Sequence, residues 1–238
     1  MNERFTKEFS LRTSDFDCYD RLRPSSILDL FQNVAGEHAT LLGVGRAAML
    51  GRDLIWVLTR IRYEVCGESA PFARVRVETW PLRPGRLTFI REYRILSAEG
   101  KVLVRGSSEW VLLHTVRRRI VAVADLYPPM EHIAERNFPD GFSRLARVAE
   151  PEKSFSVIPG FSDLDDNGHV NNIRYADYVM NAYVPQREEA VRCFEIEYHR
   201  EVLADTPLTL FCLRSEKGFS ADGQRADGEL MFSCRVEN

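Results

Sequence analysis

Apolar and polar positions along this chain follow two periods, and the switch from one to the other occurs twice. Ile27, Leu30, Phe31 and Val34 recur at helical spacing, with His38 a turn further on the same face. After them, "ARVRVETWPL", "LTFIREYRIL" and "KVLVRGSSEWVLLH" alternate at period two with Gly or Pro between them, which predicts antiparallel strands. The second half repeats the order. Ile173, Ala176, Val179, Met180 and Tyr183 share a helix face, and "TPLTLFCLRSEKG" and "GELMFSCRVE" alternate as strands. Pro24 and the pair Asn171/Asn172 are suitable helix-start signals. Each half therefore reads as a strand, one apolar helix, then several strands, with the helix laid across one face of its sheet in an α+β arrangement. The predicted domains are residues 1–124 and 151–238, joined by a Pro-rich polar linker over 125–150.

The halves also align in sequence. "SDFDCYDRLRPSSILDLFQNVA" (14–35) lies over "SDLDDNGHVNNIRYADYVMNAY" (162–183) without a gap at an offset of 148, and both begin Ser-Asp-apolar-Asp. "RIRYEV" (60–65) then matches "EIEYHREV" (195–202) at an offset of 135, with Tyr63 over Tyr198. The first half holds the longer connection between its helix and that strand.

Composition narrows the class. Hydrophobic content of 45% and charged content of 28% suit a globular chain, and no apolar run approaches the roughly 18 residues a membrane helix needs. The N-terminus lacks the apolar core of a signal peptide, and the five cysteines are scattered with no CxxC pair, so a cytoplasmic protein with reduced thiols is expected. A net charge of −3 argues against bulk nucleic-acid binding, although arginines cluster at 117–119 and at Arg83/Arg86/Arg91/Arg94.

Candidate chemistry sits where the two copies differ. Asp165, Asn167 and His169 stand over Asp17, Tyr19 and Arg21. The aspartate, shared by both, suits a turn brace. The asparagine and the imidazole belong to the second copy alone, which a purely structural loop does not explain. If the segment is extended, residues at i, i+2 and i+4 point the same way and the three side chains converge, with Gly168 easing the turn. Glu201, expected at the start of a strand, adds an acid. Asn171 and Asn172 read first as helix-start residues, and His38 as a core or pocket-wall residue.

These segments resemble those of the acyl-[acyl-carrier-protein] thioesterases. "SDLDDNGHVNNIRYADYV" resembles that family's DLDxNxHVNNxxY segment, "IWVLTRIRYEV" its WVLxRxxxE strand, "SSEWVLLHTVRRRI" its SxWxxxxxxTRR stretch, and "EYHREV" its EYRREC segment. The resemblance covers nearly the whole chain in order. It implies a tandem hot-dog fold, two antiparallel sheets each wrapped around a long central helix, and hydrolysis of fatty acyl-ACP. Residue by residue, it places the catalytic Asp, Asn, His and Glu at Asp165, Asn167, His169 and Glu201. It puts the acyl tunnel in the first half, where Phe31, Val34 and His38 lie. A helix N-terminus can stabilise an oxyanion, so the backbone N–H groups from Val170 to Asn172 are expected to receive it. The resemblance implies no metal and no cofactor. The implied partner is acyl carrier protein, an acidic protein that arginine clusters would suit, with no nucleic acid or membrane partner and a homodimer left open. One position departs from the pattern. Val202 stands where the family has often been described with a catalytic cysteine, which favours attack by water. An acyl-CoA thioesterase and a non-catalytic acyl-thioester sensor are the alternatives.

Overall fold

The computed structural model describes residues 3–122 and 126–238. Positions 1–2 and 123–125, which include the expected end of the first domain and the start of the linker, lie outside the described residues. The chain divides into two compact units. One comprises residues up to Leu22 and Ile27–Gly141, and the other Arg23–Ser26 with Phe142–Asn238.

In the first unit the elements are β1 (Phe5–Ser10), α1 (Pro24–Leu41), α2 (Arg46–Leu50), β2 (Leu54–Val65), β3 (Arg74–Pro81), β4 (Thr88–Ser97), β5 (Val102–His114) and β6 (Arg119–Val121). The strands pair antiparallel in the order β1-β3-β4-β5-β2, with β6 beside β5. The apolar face of α1 is buried through Ile27, Phe31 and Val34. It comes close to the sheet at Gly106 of β5, where an added Cβ would lie 2.2 Å from Phe31 Cε2. The Phe31 ring stacks on Tyr93 of β4 at 4.5 Å. Burying such a ring stabilises the unit by roughly 2–3 kcal/mol.

The second unit holds β7 (Lys153–Val157), α3 (Arg174–Tyr183), β8 (Cys193–Tyr198), β9 (Leu208–Ser215), β10 (Gly218–Arg225) and β11 (Leu230–Glu237). The antiparallel order is β8-β11-β10-β9-β7. Tyr175 and Tyr183 anchor α3, the first edge-on to Phe232 at 5.1 Å and the second stacked on Phe219 at 4.9 Å. The expected long central helix is long only in the first unit, with 18 residues in α1 against 10 in α3. Val184, in the left-handed region at φ 50, ends α3 just before Pro185. Lys153 Nζ and Arg214 Nη2 then donate to the last carbonyls, those of Ala182 (2.5 Å) and Tyr183 (2.6 Å).

The stretch read as a linker has no helix or strand from 126 to 150, yet it is pinned at both ends. In the first unit Asn137 donates its backbone N–H to Glu92 (2.9 Å) and its amide to the carbonyls of Tyr93 and Gly106 (both 2.9 Å). In the second, Asp222 accepts from Val148 N–H (2.9 Å) and from Arg147 Nε (2.7 Å). The boundary between the units falls at Gly141/Phe142, inside this stretch.

Candidate active site

The polar segment is not extended. A 3-10 turn at Phe161–Asp163 delivers the chain to a tight loop from Asp165 to His169, closed by Asp165 N–H donating to His169 C=O at 2.7 Å. Asp165 Oδ1 accepts the backbone N–H of Asn167 (2.8 Å) and of His169 (3.1 Å), an Asx turn. Gly168 N–H donates to Asp165 C=O at 3.1 Å, and Gly168 takes φ +78, a left-handed conformation that glycine adopts without strain. The carboxylate of Asp165 thus braces the backbone that carries His169. A loop closed this way brings side chains together by turning, not by the alternation of a strand.

What the loop presents is the His169 ring. Its Nε2 lies 3.4 Å from Glu201 Oε2, with the two side chains 30% and 38% exposed. That separation is longer than a tight charge-assisted bond of about 2.8 Å, and catalytic contacts are often loose without substrate. Asn167 Nδ2 reaches Asp165 Oδ2 at 3.4 Å, beside the same turn.

Glu201 does not begin a strand. The backbone N–H groups of His199 and Arg200 both donate to Met231 C=O (2.8 and 3.2 Å), which breaks the ladder after β8 and lifts Glu201 into the following connection. That connection is held against the His169 segment by Val170 N–H donating to Val202 C=O at 2.8 Å and by a bridge between His169 and Leu203.

The helix-start groups divide. Val170 N–H is taken by Val202, and Asn171 N–H donates to Asp163 C=O at 2.8 Å, so neither is available to an oxyanion. Val170 is itself buried. Asn171 Oδ1 accepts from Ile173 N–H at 3.0 Å, the capping job expected of it, ahead of α3 at Arg174. Asn172 C=O accepts from Tyr198 Oη at 2.8 Å, and its N–H makes no hydrogen bond among the described residues.

In the first unit Phe31 and Val34 are fully buried on the apolar face of α1, and His38, further along that helix, is also buried, with Nδ1 3.0 Å from Arg91 Nη1. The arginine set at 83–94 is therefore split. Arg91 is interior and also donates to Thr79 Oγ1 (3.2 Å), while Arg94 binds Glu135 (2.7 Å) and Asn137 (3.0 Å). Arg83, Arg86 and the run 117–119 remain exposed. Val202 is 1% exposed. Among the described residues no group of three or more His, Cys, Asp or Glu gathers as a metal site would, and no helix is long and apolar enough to cross a membrane.

Sequence reading missed one group beside the site, the backbone of Val202, whose carbonyl ties the Glu201 connection to the segment bearing His169.

Comparison with known proteins bears on the family and the fold. The chain is 26% identical over 222 residues to a chloroplastic palmitoyl-acyl carrier protein thioesterase of Cuphea hookeriana, covering 83% of this chain and 51% of that one. It is 26% identical over 226 residues to the chloroplastic oleoyl-acyl carrier protein thioesterase 2 of Arabidopsis thaliana, covering 84% and 60%. The chain thus spans about half the length of the first of these relatives. Two solved structures share the fold. The 12:0-ACP thioesterase from Umbellularia californica superposes with a TM-score of 0.87 at 23% identity, covering 100% of this chain and 97% of that one. An acyl-ACP thioesterase from Bacteroides thetaiotaomicron gives 0.86 at 24%, covering 99% and 97%. Both units are therefore hot-dog folds. Residues 2–128 match the acyl-ACP thioesterase N-terminal domain and residues 148–229 the C-terminal domain, and the chain belongs to the acyl-ACP thioesterase family.

Proposed function

We propose that this protein hydrolyses the thioester of fatty acyl-ACP, releasing a free fatty acid and holo-ACP. The observation that carries the proposal is the approach of His169 Nε2 to Glu201 Oε2 at 3.4 Å, on a loop that Asp165 holds rigid. Glu201 and His169 hold a water between them and take its proton as its oxygen attacks the thioester carbonyl carbon. Asn167, beside the same turn, orients that water or donates to the carbonyl oxygen. Asp165 acts through the backbone and does not orient the imidazole directly. Of the N–H groups from Val170 to Asn172, that of Asn172 is the one without a partner among the described residues, and it receives the oxyanion. The tetrahedral intermediate then collapses by breaking the C–S bond, and the proton taken from water passes to the departing sulfur. The scheme needs no thiol nucleophile, which suits Val202.

The acyl chain is assigned to the first unit, to the region of Phe31, Val34 and His38. The exposed arginines at 83, 86 and 117–119 are the docking points for an acidic carrier protein. The cysteines form no disulfide among the described residues, which fits a reducing compartment, and we place the reaction in the cytoplasm.

The test is release of acid from a panel of acyl-ACPs, read by mass, with acyl-CoAs of equal chain length beside them. The wild type should turn over acyl-ACP faster than acyl-CoA, and Glu201→Gln should lose about 10²–10⁴-fold in kcat, the usual worth of general acid–base catalysis. Near-normal turnover by Glu201→Gln sinks the assignment. Preference for acyl-CoA identifies an acyl-CoA thioesterase, and binding without release identifies a sensor.

A further inference from the structure

Tyr198, the last residue of β8, belongs to none of the groups assigned so far. Its hydroxyl donates to the Asn172 carbonyl at 2.8 Å. Its ring meets Tyr175 edge-on at 5.3 Å, which fixes the direction of the phenol. Desolvation pushes this phenol well above its ordinary pKa, so the hydroxyl keeps its proton and donates throughout the working range.

That bond occupies an acceptor which the helix leaves over. In a helix continued back to Asn172, this carbonyl would take the N–H four residues on, that of Ala176. Here Ala176 N–H donates to Ile173 C=O at 3.1 Å instead, and α3 begins only at Arg174. The peptide joining Asn172 to Ile173 is then held from outside the helix, at its carbonyl by Tyr198 and at its N–H by Asn171 Oδ1 at 3.0 Å. The preceding peptide is held at the Asn171 carbonyl by Arg174 N–H at 2.8 Å. Both peptides flanking Asn172 are clamped, and the Asn172 N–H is left without a partner among the described residues. Tyr198 stands three residues ahead of Glu201, so one bond ties the strand leading to that carboxylate to the segment bearing this N–H.

Comparison of the repeats supports a special role independently. Tyr198 has a counterpart in Tyr63, so a strand tyrosine is common to both halves. Asn172 stands over Pro24, which has no N–H, and α1 begins at Pro24 itself. Arg174 stands over Ser26, so α3 begins two residues later than α1 does. An N–H exists at this position only in the half that has Asn167 and His169.

We infer that Tyr198 is a positioning residue, holding the Asn172 carbonyl outside the helix so that the Asn172 N–H keeps a fixed direction toward the oxyanion. This inference rests on the proposed hydrolysis, in which that N–H receives the oxyanion.

Tyr198→Phe tests it, since the ring and its packing remain. The readouts are the carbonyl carbon resonance of Asn172 by NMR, kcat and KM on acyl-ACP, and the affinities of two acyl-ACP analogues. One analogue replaces the thioester with a trifluoromethyl ketone, whose hydrated form carries the oxygen of the tetrahedral adduct. The other replaces it with a thioether, which has no such oxygen. The resonance should move, and kcat should fall about tenfold with KM within about twofold. The ketone should bind about tenfold more weakly, while the thioether stays within about twofold. An unmoved Asn172 resonance overturns the inference, whatever turnover does. An unchanged kcat overturns it too. So does equal weakening of both analogues, which would assign Tyr198 to packing alone. A wild type that releases no acid defeats the proposed function, and the resonance then still decides whether Tyr198 holds Asn172.

Discussion

Two loops of this molecule share a backbone and differ in what they carry. In the first, Asp17 Oδ1 accepts the N–H of Tyr19 (2.8 Å) and of Arg21 (3.0 Å), Asp17 N–H donates to Arg21 C=O (2.8 Å), and Asp20 N–H donates to Asp17 C=O (3.2 Å). The second repeats those four bonds from Asp165, at 2.8, 3.1, 2.7 and 3.1 Å. Asp20 even takes the positive φ, +60, that Gly168 takes at +78. A 3-10 turn precedes each loop, entered by a backbone N–H donating to Asp15 (2.7 Å) or Asp163 (2.8 Å). Above this common frame the side chains part. Arg21 lies over the Tyr19 ring at 5.4 Å, cation on aromatic face, whereas His169 turns to Glu201. The frame explains the shared aspartate completely. In the proposed function, chemistry is a property of what one copy hangs on it.

That separation of roles is open to breakage. Asp165→Ala and Asp17→Ala each remove the acceptor for two backbone N–H groups, and each should cost about 1–2 kcal/mol, lowering the melting temperature by a few degrees. Turnover should fall at least about tenfold in Asp165→Ala, because the loop presenting His169 loosens, and should hold in Asp17→Ala. Thermal melts paired with acyl-ACP assays check both. Equal losses of turnover would show that the frame itself, in either half, is part of the chemistry.

A smaller contrast lies in how the halves hold the connecting segment. Asp222 meets Val148 N–H with the Arg147 guanidinium beside it and with the hydroxyl of Ser233. Glu92 meets Asn137 N–H and the Ser107 hydroxyl, and burial raises its pKa against those hydrogen bonds and the charge of Arg136. A raised carboxyl pKa means that the folded state binds the proton more tightly than the unfolded one. The stabilisation from that proton is complete below the ordinary carboxylate range and is lost as pH rises through the folded value. Glu92→Gln, neutral at every pH, should therefore gain in melting temperature relative to the wild type as pH rises above the ordinary carboxylate range. A constant difference over that rise would show that Glu92 is ionised without penalty.

Much of this was legible in the sequence, for identifiable reasons. The repeat showed itself because Ser-Asp-apolar-Asp is a local turn signal, and the helices because their apolar faces are periodic. β10 gave no such signal. In "GFSADGQR" the inward positions are partly glycine and alanine, and its buried Asp222 is satisfied from a distant segment. The 126–150 stretch lacks periodicity for the same reason: what fixes it are side-chain bonds to residues such as Glu92, 45 positions away from Asn137. Within the site, the residue types were readable but their geometry was not. Asp165 is a backbone brace, Val170 and Asn171 have their N–H groups engaged, and Glu201 stands off the strand because of a bulge at Met231. Each of those outcomes depends on which backbone group finds which partner, and no spacing encodes that.

The central claim is that the second loop alone carries the reaction. It is tested most directly by a matched pair at equivalent positions, His169→Ala and Arg21→Ala, with acid release from acyl-ACP measured under single-turnover conditions. The account predicts a loss of about 10²–10⁴-fold for His169→Ala and a rate within about twofold of wild type for Arg21→Ala. Comparable losses in the two variants, or a wild-type rate in His169→Ala, would contradict it.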